Sequence, residues 1–432
     1  MKVKEIVLLI LIVLVGIGFH YLRDIRISID EWSGDFLFRG NAHTFEESLT
    51  LEPAALIEVI NSHGWVECEG SDRPDIALTF EKKVWRKDEE TARKVADELK
   101  LLSSRDGDRL ILSTNRDTFK KKRNFNTGFR LLVPRNVSVK ATNSYGLVRI
   151  LRVNEAEVNN RHGRVDLLEI QGKVKAANSY ENLSLMDIGG ECLVETKHSS
   201  LKMTRISGPV KLDCAYEEVE LFDLRSSLDL TSKHSQIKTV RLAGPSEISG
   251  SYELISLSES GPANIKGHHS EIEIDNLTGD LYVETTYEQV KLDRIEGNIT
   301  IKGKSTKVSL DSVKAEKINI ETNYEDVRLE NFTGEVQLTL AHGDAALRPI
   351  NLDFPITVQN QYSSLRFYWP ENQKARFEAK TKSGKISWQL PVAPEENITN
   401  GTAILKAFTR ASDRPEIKLN TTYGDIQILK KE

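Results

Sequence analysis

The sequence has few cysteines, few prolines and no excess of positive charge. Its 432 residues include three cysteines, Cys68, Cys192 and Cys214, without paired or metal-ligand spacing. An odd number of scattered cysteines argues against a disulfide framework, so stability must come from packing. The 12 prolines form no run that would mark a long linker. Lysine and arginine number 59 against 64 aspartates and glutamates, which leaves no basic surplus for binding nucleic acid.

Catalytic and cofactor motifs are also missing. The sequence contains no G-x-S-x-G, H-E-x-x-H, P-loop or C-x-x-C pattern, so we expect no cofactor, no metal site and no catalytic residue. Residues 172–333 carry almost no insertions between repeats, which leaves little room for a catalytic cleft. We interpret Glu395 and Glu396, in the longest non-repetitive segment, as solvated turn residues. A polysaccharide-active enzyme is therefore the less favoured alternative to a non-catalytic protein.

Long hydrophobic runs are absent except at the N-terminus. Lys2 and Lys4 precede an apolar run from Ile6 to Phe19, which predicts an N-terminal transmembrane anchor or a signal segment over residues 1–24. Basic residues ahead of such a run keep the N-terminus in the cytoplasm. We therefore expect a bacterial cell-envelope protein with a single membrane pass and an extracytoplasmic body.

A repeat of about 18 residues extends from Asn136 to near Asn351. In the unit "GPVKLDCAYEEVELFDLR", from Gly208, apolar residues recur at positions 3, 5, 12, 14 and 17. This alternation predicts two half-buried strands per unit, which cannot bury their apolar faces alone. Stacking at least twelve such coils roughly 4.8 Å apart gives an all-β, single-stranded β-solenoid with a continuous core. The alternative is a long antiparallel meander in which each unit is one hairpin.

The sequence divides into four segments on this basis. The membrane segment, 1–24, is followed by an N-terminal cap, 25–134, which contains the first coil or coils and a helix predicted over 88–101. We expect this helix to cap the end of the solenoid, where an open coil would expose apolar surface and strand edges. The regular β-solenoid occupies 135–351, and irregular C-terminal coils follow over 352–432.

Position 9 of the repeat alternates between tyrosine and histidine, so the true period is two coils. This position has the inward parity of positions 3, 5 and 7, and position 7 is small or polar in every unit. We therefore expect a buried ladder in which phenol and imidazole groups of successive coils exchange hydrogen bonds. The alternative is an exposed stripe that binds a glycan or a cation, with like residues about 9.6 Å apart. The candidate residues are Tyr145, His162, Tyr180, His198, Tyr216, His234, Tyr252, His269, Tyr287, Tyr324 and His342, with Ser305 replacing one ring.

Several passages resemble the bacterial putative adhesin domain family over roughly residues 45 to 430. They are "NSHG" from Asn61, "LLVPRNVSVKATNSYGLV" from Leu131 and the repeated turns with a tyrosine or histidine. The resemblance implies an envelope β-solenoid of unknown function without established catalytic residues.

Together these observations favour a membrane-anchored solenoid whose repetitive surface serves adhesion or envelope-polymer binding. The expected partners are the membrane, through the N-terminal segment, and an envelope glycan or a surface protein. An envelope-sensing or scaffolding partner of a membrane signalling system is the alternative.

The topology can be tested with a reporter that is active only in the cytoplasm. A fusion at Asp35 is expected to be silent, because the residues after the apolar run are sent across the membrane. A fusion of the same reporter at Lys4, ahead of the run, is the control and is expected to be active. Activity of the Asp35 fusion would contradict the extracytoplasmic location.

Overall fold

The protein is described by a computed structural model in which the described residues are mostly strand, with one α-helix among them. The described residues are 40–119, 124–390, 395–399, 402–408 and 415–431. The segment expected to anchor the chain, 1–24, lies outside them. Among the described residues, no helix has the length and apolar character needed to span a membrane. The all-β class is confirmed, since 66% of the structure is strand.

The helix and strands are numbered in chain order. Helix α1 is Glu89–Glu98. The N-terminal strands are β1 Asn41–Leu51, β2 Leu56–Ile60, β3 Gly64–Ser71, β4 Ile76–Arg86, β5 Leu101–Asp106, β6 Arg109–Thr114 and β7 Phe125–Pro134. The regular coils contain β8 Ser138–Thr142, β9 Val148–Leu151, β10 Glu155–Asn159, β11 Val165–Ile170, β12 Val174–Ser179, β13 Leu183–Ile188, β14 Cys192–Lys197, β15 Leu201–Ile206, β16 Val210–Ala215, β17 Val219–Leu224, β18 Leu228–Lys233, β19 Ile237–Leu242, β20 Ser246–Ser251, β21 Ile255–Ser260, β22 Ala263–His268, β23 Ile272–Thr278, β24 Leu281–Thr286, β25 Gln289–Glu296, β26 Ile299–Lys304, β27 Lys307–Glu321, β28 Val327–Thr339 and β29 Ala345–Pro349. The C-terminal strands are β30 Ile356–Gln359, β31 Leu365–Trp369, β32 Arg376–Thr381, β33 Ile386–Trp388, β34 Glu395–Thr399, β35 Thr402–Phe408, β36 Glu416–Thr421 and β37 Ile426–Lys430.

The described chain forms two units, of which the smaller contains the helix. Asp88 caps α1, because its carboxylate accepts a hydrogen bond from the Thr91 backbone N–H at 2.8 Å. This bond lowers the pKa of Asp88. The predicted helix over 88–101 is shorter in the structure, since β5 begins at Leu101 and pairs antiparallel with β6. The apolar face of α1 packs in a small separate core of Val84, Ala92, Val95, Ala96, Leu99 and Phe125.

The larger unit is a single β-solenoid of about 13 turns with about 18 residues each. Strand β16 pairs with β14 on one side and β18 on the other, which places Leu212 in register with Val194 and Leu230. Within residues 138–349, all described, every pairing between coils is parallel. The solenoid is therefore confirmed, and the antiparallel meander is excluded.

The apolar positions of the repeat form the core. Leu212 and Val283, at position 5 of two coils, and Leu221 and Leu292, at position 14 of the same two coils, are no more than 1% exposed. Burying one such side chain stabilises the fold by about 1.5–3 kcal/mol. Position 17 is also buried as predicted, at Leu224, Ile295 and Val313.

The coils that are shorter or longer than 18 residues lie where the repeat in the sequence predicts them. Ser246 pairs with Ala263 in a coil that is one residue short, and Ile299 pairs with Ile318 in one that is long. A bulge between Lys314 and Lys317 accommodates the additional residue. Because the bulge lies away from the position-9 turns, those turns stay aligned from coil to coil.

The coils at both ends of the solenoid pair out of sequence order. Strands β2 and β3 form a coil that lies between β8–β9 on one side and β6–β7 on the other. Strands β36 and β37 likewise lie between β30–β31 and β32–β33. At each end of the solenoid, the second coil therefore pairs with one coil that is close in sequence and with another that is distant in sequence.

The solenoid core predicts a strong contrast between adjacent residues of β18. Replacing Leu230, which is buried, by alanine is expected to lower the free energy of unfolding by about 2–5 kcal/mol, because a cavity remains between coils. Thr231 is exposed on the same strand, so Thr231→Ala should change it by no more than about 0.5 kcal/mol. Denaturant unfolding of the full chain measures both, and equal effects would contradict the inward orientation of position 5.

Candidate functional site

The position-9 turns place a left-handed residue between the two strands of a coil. Tyr216 has φ of 73° and His234 has φ of 53°, although neither is glycine. A side chain in this conformation costs roughly 1–2 kcal/mol per residue. Strict alternation of inward and outward side chains holds only along extended backbone. The left-handed residue therefore interrupts the alternation and directs the ring out of the core.

The rings of successive coils stack face to face in one column, which we call the ring stack. The centroid of the Tyr216 ring lies 4.7 Å from that of His198 and 5.4 Å from that of His234, with interplanar angles of 10° and 6°. Offset stacking of this kind contributes about 0.5–1.5 kcal/mol per pair beyond the buried area. The unbroken part contains Tyr145, His162, Tyr180, His198, Tyr216, His234, Tyr252, His269 and Tyr287.

The expectation of a buried, hydrogen-bonded ladder is wrong. Tyr216 is 49% exposed, and the nearly parallel rings contact each other through their faces, not through a hydroxyl and a ring nitrogen. The space next to the small residue at position 7 is occupied by other side chains. A Cβ added to Gly250 would meet Ile255 at 2.8 Å. Position 7 is small because the position-12 side chain fills that space, and no ring folds over it.

The ring stack is longer than the alternating positions suggested. His63 lies 4.7 Å from Tyr145 at its start, at a tilted angle of 32°. A second part contains Tyr324, His342, Tyr362 and Tyr423. The rings of His63, Tyr362 and Tyr423 were not among the predicted residues, although "NSHG", "QYSS" and "TTYG" carry the same ring at a turn. Ser305 separates the two parts.

Charged residues border the ring stack on both sides of the turn. The residue before the ring is basic in most coils that carry histidine or Ser305, and we call these exposed residues the basic row. The residue after tyrosine is an exposed glutamate in most coils, and these form the acidic row. The sequence pattern indicated the glutamates but not the basic residues. The basic row is Arg161, Lys197, Lys233 and Lys304, and the acidic row is Glu181, Glu217, Glu253, Glu288 and Glu325.

Comparison with known proteins finds a family whose model matches the C-terminal part of the chain. Residues 253–429 match Toastrack DUF4097, and this range covers part of the ring stack and the Ser305 interruption. The resemblance to the bacterial putative adhesin domain family is thereby confirmed. No curated protein matches the sequence.

Solved structures similar to the chain share little sequence with it. A "putative cell adhesion protein" from Clostridium sporogenes is 10% identical over 90% of this chain and 100% of that one, with a TM-score of 0.20. A "putative lipid binding protein" from Parabacteroides distasonis is 12% identical over 63% and 98%, with a TM-score of 0.25. A "putative adhesin" from Parabacteroides merdae is 10% identical over 75% and 98%, with a TM-score of 0.20. The architecture of the described residues is established by their own strand pairings.

A second left-handed residue, at position 16 of the coils, forms a column of charges between Asp187 and Arg241. Arg205 donates two hydrogen bonds to Asp187 of the preceding coil, at 2.6 and 2.7 Å, and Arg241 pairs with Asp223 in the same way. These guanidinium groups lower the pKa of both carboxyl groups. The column links neighbouring coils, so we assign it a structural role.

The metal-ligating side chains and the cysteines of the described residues bear on catalysis. No group of three or more histidine, cysteine or acidic side chains among them could hold a metal ion. Burial raises the pKa of Cys68 and of Cys192 to about 12, so both thiols are protonated at neutral pH and are poor nucleophiles. Glu395 and Glu396, expected in a turn, lie instead in β34, which pairs antiparallel with β35.

Stacking of ring faces predicts that phenylalanine can replace histidine in the ring stack. His234→Ala is expected to cost about 1–3 kcal/mol of unfolding free energy, because contacts with Tyr216 and Tyr252 are lost. His234→Phe keeps both contacts and should recover most of the loss. A hydrogen-bonded ladder would give the opposite result for phenylalanine, since that side chain has no polar atom. Thermal or denaturant unfolding of the full chain distinguishes the two.

Proposed function

We propose that the chain is a non-catalytic, membrane-anchored extracytoplasmic β-solenoid that binds an envelope polymer or another cell surface through the ring stack and its charged rows. The observation that supports this most directly is the repetition of the exposed stack over many coils, with charges of both signs along it. A single catalytic site needs one copy of its residues, whereas a polymer can contact every copy.

The stacked geometry determines which atoms a polymer can reach. The ring faces are occupied by neighbouring rings, so a sugar cannot lie flat on them along the unbroken part of the stack. The accessible atoms are the ring edges, with phenol hydroxyls and imidazole nitrogens that donate and accept hydrogen bonds. Like groups recur every second coil, about 9.6 Å apart. A polar polymer with charged substituents at a matching repeat is the ligand class that this surface favours.

The same repetition multiplies weak contacts. Individual exposed charge pairs contribute only about 0–1 kcal/mol each. A polymer held at several coils gains from effective concentration, because each further contact is intramolecular once the first has formed. We therefore expect binding to depend strongly on the length of the polymer and on salt.

The proposal predicts that the basic row contributes to binding of polymer while the stack stays intact. A triple variant with Lys197→Ala, Lys233→Ala and Lys304→Ala should lose at least about tenfold in affinity, or about 1.4 kcal/mol, for acidic cell-wall polysaccharide on a glycan array. The matched control replaces three exposed lysines on the strands, Lys175, Lys238 and Lys380, by alanine and should change affinity less than about twofold. No binding by the parent chain to any envelope polymer, or equal loss in both variants, would overturn the proposal.

A further inference from the structure

The interruption of the ring stack at Ser305 removes a ring but leaves the backbone unchanged. Ser305 has φ of 55°, close to the 53° of His234 and His269, although no ring requires it. Thr306 repeats the hydrogen bond of the histidine coils, since its hydroxyl donates to the Lys304 carbonyl at 3.4 Å as Ser235 donates to Lys233 at 3.3 Å. One backbone contact differs, because the Ser305 N–H donates to the Asn323 side chain at 3.0 Å, whereas the His234 N–H donates to the Ser251 carbonyl. The Ser305 turn thus keeps the conformation of a histidine turn without the imidazole.

The coils on both sides of Ser305 stay in register. Thr286 pairs with Lys304 and Gln289 with Lys307 on one side of the turn. Ile301 pairs with Ile320 and Val308 with Val327 on the other side. These pairings place Ser305 between Tyr287 and Tyr324, one coil from each.

Two tyrosine faces are therefore open toward the same gap. Tyr287 stacks on His269 with its other neighbour missing, and Tyr324 stacks on His342 in the same way. Tyr324 is 62% exposed, the largest value among the tyrosines of the stack. Two coil spacings separate the two rings, or about 9.6 Å.

We propose that this gap is a binding slot for one flat aromatic side chain, presented by an acidic peptide segment of a partner protein. The neighbouring coils show that a flat ring fits between two tyrosines. There the imidazole of His269 lies between two phenol rings, 5.2 Å from that of Tyr252 and 4.8 Å from that of Tyr287. A flat ring in the slot reproduces that arrangement without movement of the backbone. A puckered sugar ring has atoms in more than one plane and would have to separate coils that are held by backbone hydrogen bonds.

The charges next to the slot favour an acidic partner over a cationic one. Lys304 and Lys307 are exposed on the two sides of Ser305. Glu288 and Glu325 follow the two tyrosines, and their charges offset only the nearest lysines. Lys307 also lines a groove of about 590 Å³ that continues over the second strands of the adjoining coils. Five of the side chains lining this groove are basic and two are acidic. Four of the basic ones already form ion pairs: Lys291 with Glu273, Arg328 and Arg348 with Glu330, and Arg366 with Asp344. Lys307, next to the slot, is therefore the groove residue best placed to pair with a carboxylate of the peptide.

The length of the groove indicates a peptide instead of a small aromatic anion. Its lining residues belong to successive coils from Gln289 to Tyr368, so it extends along the stacking direction. An extended segment can insert one aromatic side chain into the slot and place neighbouring carboxylates in the groove. Ion pairs of this kind give orientation and association rate more than affinity, while the stacked ring supplies the anchor.

The proposal is tested by titrating the full chain with short acidic peptides that contain one phenylalanine, and following the ring resonances of Tyr287 and Tyr324 by NMR. Both resonances should shift with the phenylalanine peptide and not with the same peptide carrying alanine. Replacing the acidic residues of the peptide by glutamine should weaken binding at least about threefold. Ser305→His, which fills the slot, should weaken it at least about tenfold, whereas Ser305→Ala leaves the slot open and should have no effect.

Two outcomes would contradict the slot or its peptide ligand, and one control separates the slot from polymer binding. Ser305→Phe is a second filled variant, and unchanged binding by a folded filled variant would overturn the slot. Tighter binding of thymidine monophosphate than of the peptide would overturn the peptide assignment. Ser305→His keeps both charged rows, so it should bind cell-wall polysaccharide as the parent does. A failure of slot binding is thereby distinguishable from a failure of the proposed polymer binding.

Discussion

Parallel hydrogen bonding between successive coils, with its fixed spacing of roughly 4.8 Å, is the constraint on which the rest of the structure depends. Because each residue lies directly above its counterpart in the preceding coil, residues of one type at one repeat position form a column along the solenoid. Apolar residues form the continuous core, and charged residues at position 16 form pairs such as Arg205 with Asp187. Rings at position 9 become neighbours at 4.7–5.4 Å through the unbroken part of the stack, because the backbone holds them there.

The period of the sequence was sufficient to predict the coils and their core. Positions such as 3 and 12 repeat faithfully, as Val210 and Val290 show, and even the coil with an additional residue could be located. The direction of the rings could not be predicted, because counting parity from position 3 assumes extended backbone throughout. Tyrosine and histidine give no sign of a left-handed φ, unlike glycine. The strain of roughly 1–2 kcal/mol per such residue is comparable to the stacking of about 0.5–1.5 kcal/mol per pair, so each turn is sustained by its neighbours.

The order of the end coils could not be predicted for a related reason. All coils present nearly equivalent strand edges, so the repeat does not specify which coil pairs with which. Strands β36 and β37 pair through both of their edges, with β30–β31 on one side and with β32–β33 on the other. The order of the sequence would instead place them last in the stack. This arrangement links distant parts of the chain at each end of the solenoid. It opposes the fraying to which a stack with only nearest-neighbour contacts is prone.

Alternation of tyrosine and histidine follows two kinds of turn and is not a requirement of stacking. Tyr362 and Tyr423 stack at 5.3 Å and 7°, so like rings are compatible with the geometry. In the coils from Tyr180 to Tyr287, tyrosine turns have φ near 70° and an exposed glutamate next, whereas histidine turns have φ near 53° and a buried serine next, as at Ser235. Stacking stabilises the rings in every coil, while their exposed edges carry the groups that a polymer could contact. Ser305 departs from the repeat while its turn keeps the left-handed backbone. The loss of the ring removes two stacking contacts, so packing does not explain the serine. Binding of a specific ligand in the gap is the explanation that we propose for it.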